Sequence, residues 1–92
     1  MINRLVLDVL KPHEPGMEEL TTGLLDRLDV DGITATLVEI DENVRTIRLV
    51  IKGSDLDLDR IQAEITDLGG SIHSVDQVSG GNEIVEDVPV RH

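Results

Sequence analysis

Nineteen Asp and Glu stand against eight Lys and Arg in 92 residues, a net charge of −11, with no Cys, Phe, Tyr or Trp. A chain of this length builds one modest core, burying roughly 60–65% of its unfolded surface, and here Leu, Ile and Val must fill it without aromatic help. The missing cysteines exclude disulfides, thiolate catalysis and Cys-type zinc sites, and the acidic balance repels phosphate backbones, so nucleic acid is not an expected partner.

Ile2 to Leu10 has strand composition. Leu5, Leu7 and Val9 fall on one face, and Arg4, Val6, Asp8 and Leu10 on the other, both largely apolar as in a central strand. Pro12 and Pro15 end it, and Pro15 suits the first position of a helix because its missing N–H costs nothing there. Met17, Leu20, Leu24 and Leu28 then recur at helical spacing over about four turns, with Glu18 and Glu19 against the positive helix end.

Two strands follow, Ile33 to Ile40 and Val44 to Lys52, joined by a short hairpin loop at Asp41-Glu42-Asn43. The later strand alternates, with Ile47, Leu49 and Ile51 opposing Thr46, Arg48 and Val50. Gly53 breaks it. Ser54 or Asp55 is the expected cap of a second helix, with Asp57 and Asp59 in its first turn and Leu58, Ile61, Ile65 and Leu68 as its apolar stripe. Gly69-Gly70 is a helix stop. Ser71 to Val78 reads as a fourth strand whose parity is broken: Ile72 and Val78 share a face with Asp76, while Val75 shares one with His73. A bulge or an edge position accounts for that.

The order β-α-β-β-α-β predicts an α+β fold, the ferredoxin-like split βαβ sandwich. Right-handed crossovers place both helices on one face of a four-stranded antiparallel sheet, with the first and third strands central. The folded unit is expected to span 1–81. Residues 82–92 are expected to form an acidic tail that is either frayed or given an extra short strand or arm by Ile84, Val85, Val88 and Val90. The other face of the sheet is left open, carrying Val6, Asp8, Leu10, Thr46, Arg48 and Val50, with Leu37 or Val38 added from the second strand.

The opening LVLDVLKPHEP, the central VEIDENVRTIRLVIKGSDLDLDRI and the late GGSIHSVDQV together resemble a small archaeal family catalogued as domain of unknown function 211. The resemblance runs from about Ile2 to Val88. It implies a ferredoxin-like fold, an archaeal source and self-association, and no activity. The acidity is further similar to that of a haloarchaeal member, whose excess carboxylates keep the surface hydrated while salt screens their repulsion.

Several residues have chemistry to offer, each with a plainer alternative. Asp8 lies mid-strand among apolar neighbours. Arg48 on the adjacent central strand is its expected ion-pair partner, and a metal or ligand carboxylate is the other reading. Lys11, His13 and Glu14 sit at the strand-to-helix turn, where free N–H groups and a lysine favour a small carboxylate or phosphate; capping or simple exposure competes with that. His73 and Asp76 fall on the fourth strand beside Asp8, so the three are the candidate ligands of a divalent cation, against a structural role for the imidazole. Asp55, Asp57 and Asp59 alternate like the acids of a calcium loop, but its sixth and twelfth positions are Arg60 and Thr66, and capping explains them better. No nucleophile, base and oxyanion hole assemble, so an enzyme is not expected.

The leading expectation is a non-catalytic binding module that works as a homo-oligomer, through the open-face residues Val6, Leu10, Arg48 and Val50 or through an edge strand, with the tail from Glu83 as a further contributor, and that binds a small effector at a subunit interface. The alternatives are a divalent-cation-binding protein and a small enzyme with an inter-subunit site. No apolar run approaches the ~20 residues of a membrane span, and Met-Ile-Asn-Arg lacks a signal-peptide layout, so a cytoplasmic chain with no membrane partner is expected.

Overall fold

The computed structural model describes residues 1–83 together with Val85 and Glu86. Six elements follow in the order β1 (Ile2–Lys11), α1 (Met17–Arg27), β2 (Gly32–Ile40), β3 (Arg45–Lys52), α2 (Leu58–Asp67) and β4 (Ser71–Gly80). The strands form one antiparallel sheet ordered β2-β3-β1-β4, so the ferredoxin-like arrangement expected of the pattern is the one observed. The expected tail strand rests on Ile84, Val88 and Val90, which lie outside the described residues; Val85 is exposed and in no strand.

Alternation divides the two central strands between two environments. Leu5, Leu7 and Val9 of β1 register with Ile51, Leu49 and Ile47 of β3, and all six have no solvent exposure. Leu20 and Leu24 of α1 and Ile61 and Ile65 of α2 complete the core above them. Branched aliphatic side chains pack a pleated surface well, so this sheet face closes without an aromatic ring. The two helices approach closely at Gly23, where an added Cβ would stand 3.1 Å from the Leu68 methyls. Arg27 at the end of α1 ties them further, reaching Glu64 at 3.3 Å and pairing with Asp67 of α2.

Helix boundaries depart from expectation in three places. α1 is capped by Gly16, so Pro15 lies one residue before the cap and not at the first helical position; α1 also stops at Arg27, three turns long, with Leu28 as its C-cap. α2 is capped by Asp57, whose carboxylate accepts from the Arg60 N–H at 3.3 Å, and not by Ser54 or Asp55. Leu56 is the reason: it is 6% exposed, plugs the core beside Gly53, and donates its N–H to Ile2 O, which delays the helix until after it. The Gly69-Gly70 stop holds. Gly69 takes φ +97°, its N–H bonds Thr66 O and the Gly70 N–H bonds Ile65 O, a Schellman ending that needs a residue free of Cβ strain.

The broken parity of β4 resolves as two bulges. Register against β1 slips between Val6 and Leu7 and again between Asp8 and Val9. The slips bring Ile72, Val75 and Val78 opposite Val9, Leu7 and Leu5, so all three sit on the helix side despite their uneven spacing. A similar slip in β2 falls between Leu37 and Glu39. Leu37 pairs with Ile47 and belongs to the helix side, so the expectation that it joins the open face is corrected; Val38 is the extra residue of the irregularity. The open-face positions of β2 are Thr34, Thr36 and Glu39, opposite Val50, Arg48 and Thr46.

Candidate functional site

Two places gather the residues singled out above. The first is the open sheet face. Val6 and Val50 register with one another there, as do Asp8 with Arg48 and Leu10 with Thr46. Arg48 Nε stands 3.8 Å from Asp8 Oδ1, an ion-pair distance but too long for a hydrogen bond, and Oδ1 is buried without a hydrogen-bond partner. The expected Asp8–Arg48 pairing is thus present and loose. Arg4, Val6, Arg48, Val50 and Asp76 line a shallow depression of about 390 Å³ on this face.

Charge is distributed unevenly about the sheet. By register and by that depression, the open face holds Arg4, Arg48 and Lys52 against Asp8, Glu39 and Asp76. Three cations balance three carboxylates on one face of a chain whose total is −11. The surplus acid therefore lies elsewhere, on the helices and loops.

The proposed cation ligands do not converge. Asp76 accepts a hydrogen bond from the Ser74 hydroxyl at 2.7 Å, and Ser74, not His73, stands opposite Asp8. His73 falls at the second bulge of β4. Among the described residues no three His, Asp or Glu side chains come together as a metal site. Simple alternation along β4 puts His73 and Asp76 on opposite faces, and both fall at the bulges of the strand.

The second place is the β1–α1 junction. β1 runs one residue further than its composition suggests, to Lys11, whose neighbour across the ladder is Arg45, the first residue of β3. Lys11 is 3% exposed and donates from Nζ to Pro12 O at 2.8 Å. Burial, and next the Arg45 guanidinium, push the Lys11 ammonium below its ordinary pKa of 10.5, while Glu14 and Glu19 pull it back up. His13 and Glu14 are exposed, with His13 Nε2 3.9 Å from Glu14 Oε1. A cavity of about 200 Å³ brings Lys11 and His13 together with Gly16, Met17 and Arg45; Glu14 does not line it. Arg45 is the residue that sequence reading missed. It begins a strand, and only the β1–β3 register sets it against Lys11.

A comparable cavity at the far end of the helices holds Arg27 and Arg60, but their groups are already engaged. Arg27 pairs with Glu64 and Asp67, and Arg60 Nη2 donates to Arg27 O at 3.2 Å.

Comparison with known proteins agrees with the motifs. Residues 3–92 match the model of the DUF211 family, described as "Uncharacterized ArCR". The chain belongs to this family. It is also 44% identical over 87 residues to an uncharacterized protein of the archaeon Methanocaldococcus jannaschii, a match covering 95% of this chain and 90% of the relative. No helix among the described residues is long and apolar enough to cross a membrane.

Proposed function

We propose that the chain is a non-catalytic binding module that acts as a homo-oligomer, joined through the open face of its sheet, and that it binds a small effector. The observation that carries this is the composition of that face. Two helices cover one side of a four-stranded sheet and leave Val6, Leu10 and Val50 of the central strands on the other. Half-buried apolar side chains, Leu10 and Val50 beside the nearly buried Val6, on a face that no helix covers suit a surface that meets another molecule. Two acidic molecules repel at most approaches. The balanced charges around Val6 and Val50 make this the approach with least repulsion.

The sheet edges are the weaker route. β4 is interrupted by two slips and β2 by one, and such irregularities blunt an edge against pairing with another strand. Dense surface carboxylate further supports a salt-adapted, haloarchaeal setting in the cytoplasm, where screening lets such molecules associate. Sedimentation equilibrium of the wild type in molar KCl tests the assembly; a single 10.1 kDa species would remove it.

A further inference from the structure

The cavity beside α1 holds two cations and no anion. Lys11 and Arg45 stand directly opposite across the β1–β3 ladder, an arrangement that costs stability because like charges face each other. Among the described residues neither has a carboxylate within 4.0 Å, and Arg45 makes no side-chain hydrogen bond. Scarcity of acid is not the cause in a chain with 19 carboxylates. Lys11 is also 3% exposed, and among the described residues its Nζ makes one hydrogen bond, to Pro12 O. An anion seated between two facing cations would offset the cost of their repulsion.

We propose that this cavity binds a small aliphatic carboxylate, its oxygens held between Lys11 and Arg45 and its short chain laid against Met17 and Leu37. Met17 and Leu37 are exposed where they line the same cavity as the cations, with the buried Ile47 beside them. They give a hydrocarbon chain a surface that inorganic phosphate cannot use. At about 200 Å³ the cavity is smaller than the usual ligand pocket, so the chain is short. Gly16 supplies no side-chain cap, so the first N–H groups of α1 add to the attraction. Charge sets the class further. Glu19 folds its Oε1 back over Gly16, 3.8 Å from where a Cβ would stand, and Glu14 is near enough to act on Lys11. Two nearby carboxylates oppose a dianion more than a monoanion. This deepens the small-effector reading and rests on it. The cavity lies on the helix side of the sheet, so it does not need the open-face contact.

Titration of isovalerate into the labelled full chain, followed by amide and methyl NMR at the lowest KCl that keeps it folded, is the test. Saturable shifts at Lys11, Arg45 and the Met17, Leu37 and Ile47 methyls are expected. Arg45→Gln and Lys11→Met should each weaken binding about ten-fold or more, as loss of a charge-assisted hydrogen bond does, with the remaining spectrum unchanged. Glu19→Gln should tighten it about three-fold by removing a competing charge. Non-saturating or dispersed shifts would overturn the site, as would both cation variants binding like wild type. Phosphate binding tighter than isovalerate would overturn the carboxylate class. Sedimentation of the same samples separates this from the assembly: a monomer that binds isovalerate keeps the site, and an oligomer that does not bind loses it.

Discussion

The two faces of the β1–β3 pair are built from alternate residues of the same two strands, and they differ in almost every respect. On the helix side Leu5, Leu7, Val9, Ile47, Leu49 and Ile51 are wholly buried and purely aliphatic. On the open side Val6 alone is buried, at 8% exposure, and its neighbours are Asp8, Leu10, Arg48 and Val50. The first face is committed to holding the chain folded. The second combines apolar groups with a loose ion pair and balanced charge, which suits a surface that meets another molecule. A period of two is enough to separate stability from recognition on one ribbon of chain.

That contrast is broken most forcefully by truncation. Leu49→Ala on the helix side should cost about 3 kcal/mol in urea unfolding, because the cavity is enclosed on every side. Val50→Ala, one residue along and facing the other way, should cost less than about 1 kcal/mol under monomeric conditions. Equal losses would mean that the open face is as much a core as the helix side.

Salt sharpens the comparison next. Surplus carboxylate lies away from the open face, so repulsion within the helices and loops is what screening relieves. The Debye length falls from ~10 Å at 0.1 M to ~3 Å at 1 M. Circular dichroism melts should show the midpoint rising by about 5 °C or more between low and molar KCl, the equivalent of roughly 1 kcal/mol for a domain of this size. An unchanged midpoint would show that the acidic surface carries no folding penalty.

Lys11 is the exception on the helix side, a cation at the end of an aliphatic row. Lys11→Met should stabilise the free protein by about 1 kcal/mol near neutral pH, since an apolar chain of similar length replaces a buried, unpaired charge. Its pH dependence has a definite sign. The folded-state pKa lies below the unfolded value of 10.5, so between the two the unfolded chain binds more protons and stability rises with pH. Wild type should gain stability over that alkaline window relative to Lys11→Met, in paired urea titrations. A wild type that loses stability there relative to the variant would mean that the ammonium is well paired.

The smallest effect is on the open face. Asp8→Asn removes the charge that faces Arg48 at 3.8 Å, and because Arg48 is half exposed the loss should stay under about 0.5 kcal/mol for the monomer. A larger loss would show that the pair is structural.

Much of this was readable in the chain. The stripe Leu58, Ile61, Ile65 and Leu68 and the alternation of Ile47, Leu49 and Ile51 follow from periods of 3.6 and 2, and both elements lie where those periods put them. The open-face residues Val6, Leu10, Arg48 and Val50 were legible for the same reason. Parity along β4 was not, because each bulge resets it, and Leu37 was misplaced at the corresponding slip in β2. Arg45 escaped because register between strands is a tertiary property. Nothing within VRTIRLVIK says which residue will face Lys11. The cap of α2 passed from Ser54 or Asp55 to Asp57 because Leu56 is drawn into the core first.

The central claim is that the open face joins one copy of this chain to another. Sedimentation equilibrium in molar KCl at submillimolar concentration, with wild type beside Val6→Asp and Val50→Asp, tests it most directly. An oligomeric wild type is predicted, and both variants should sediment as folded monomers, because a carboxylate placed in the apolar centre of the contact leaves a buried, unpaired charge. A monomeric wild type, or folded variants that assemble as fully as wild type, would contradict it.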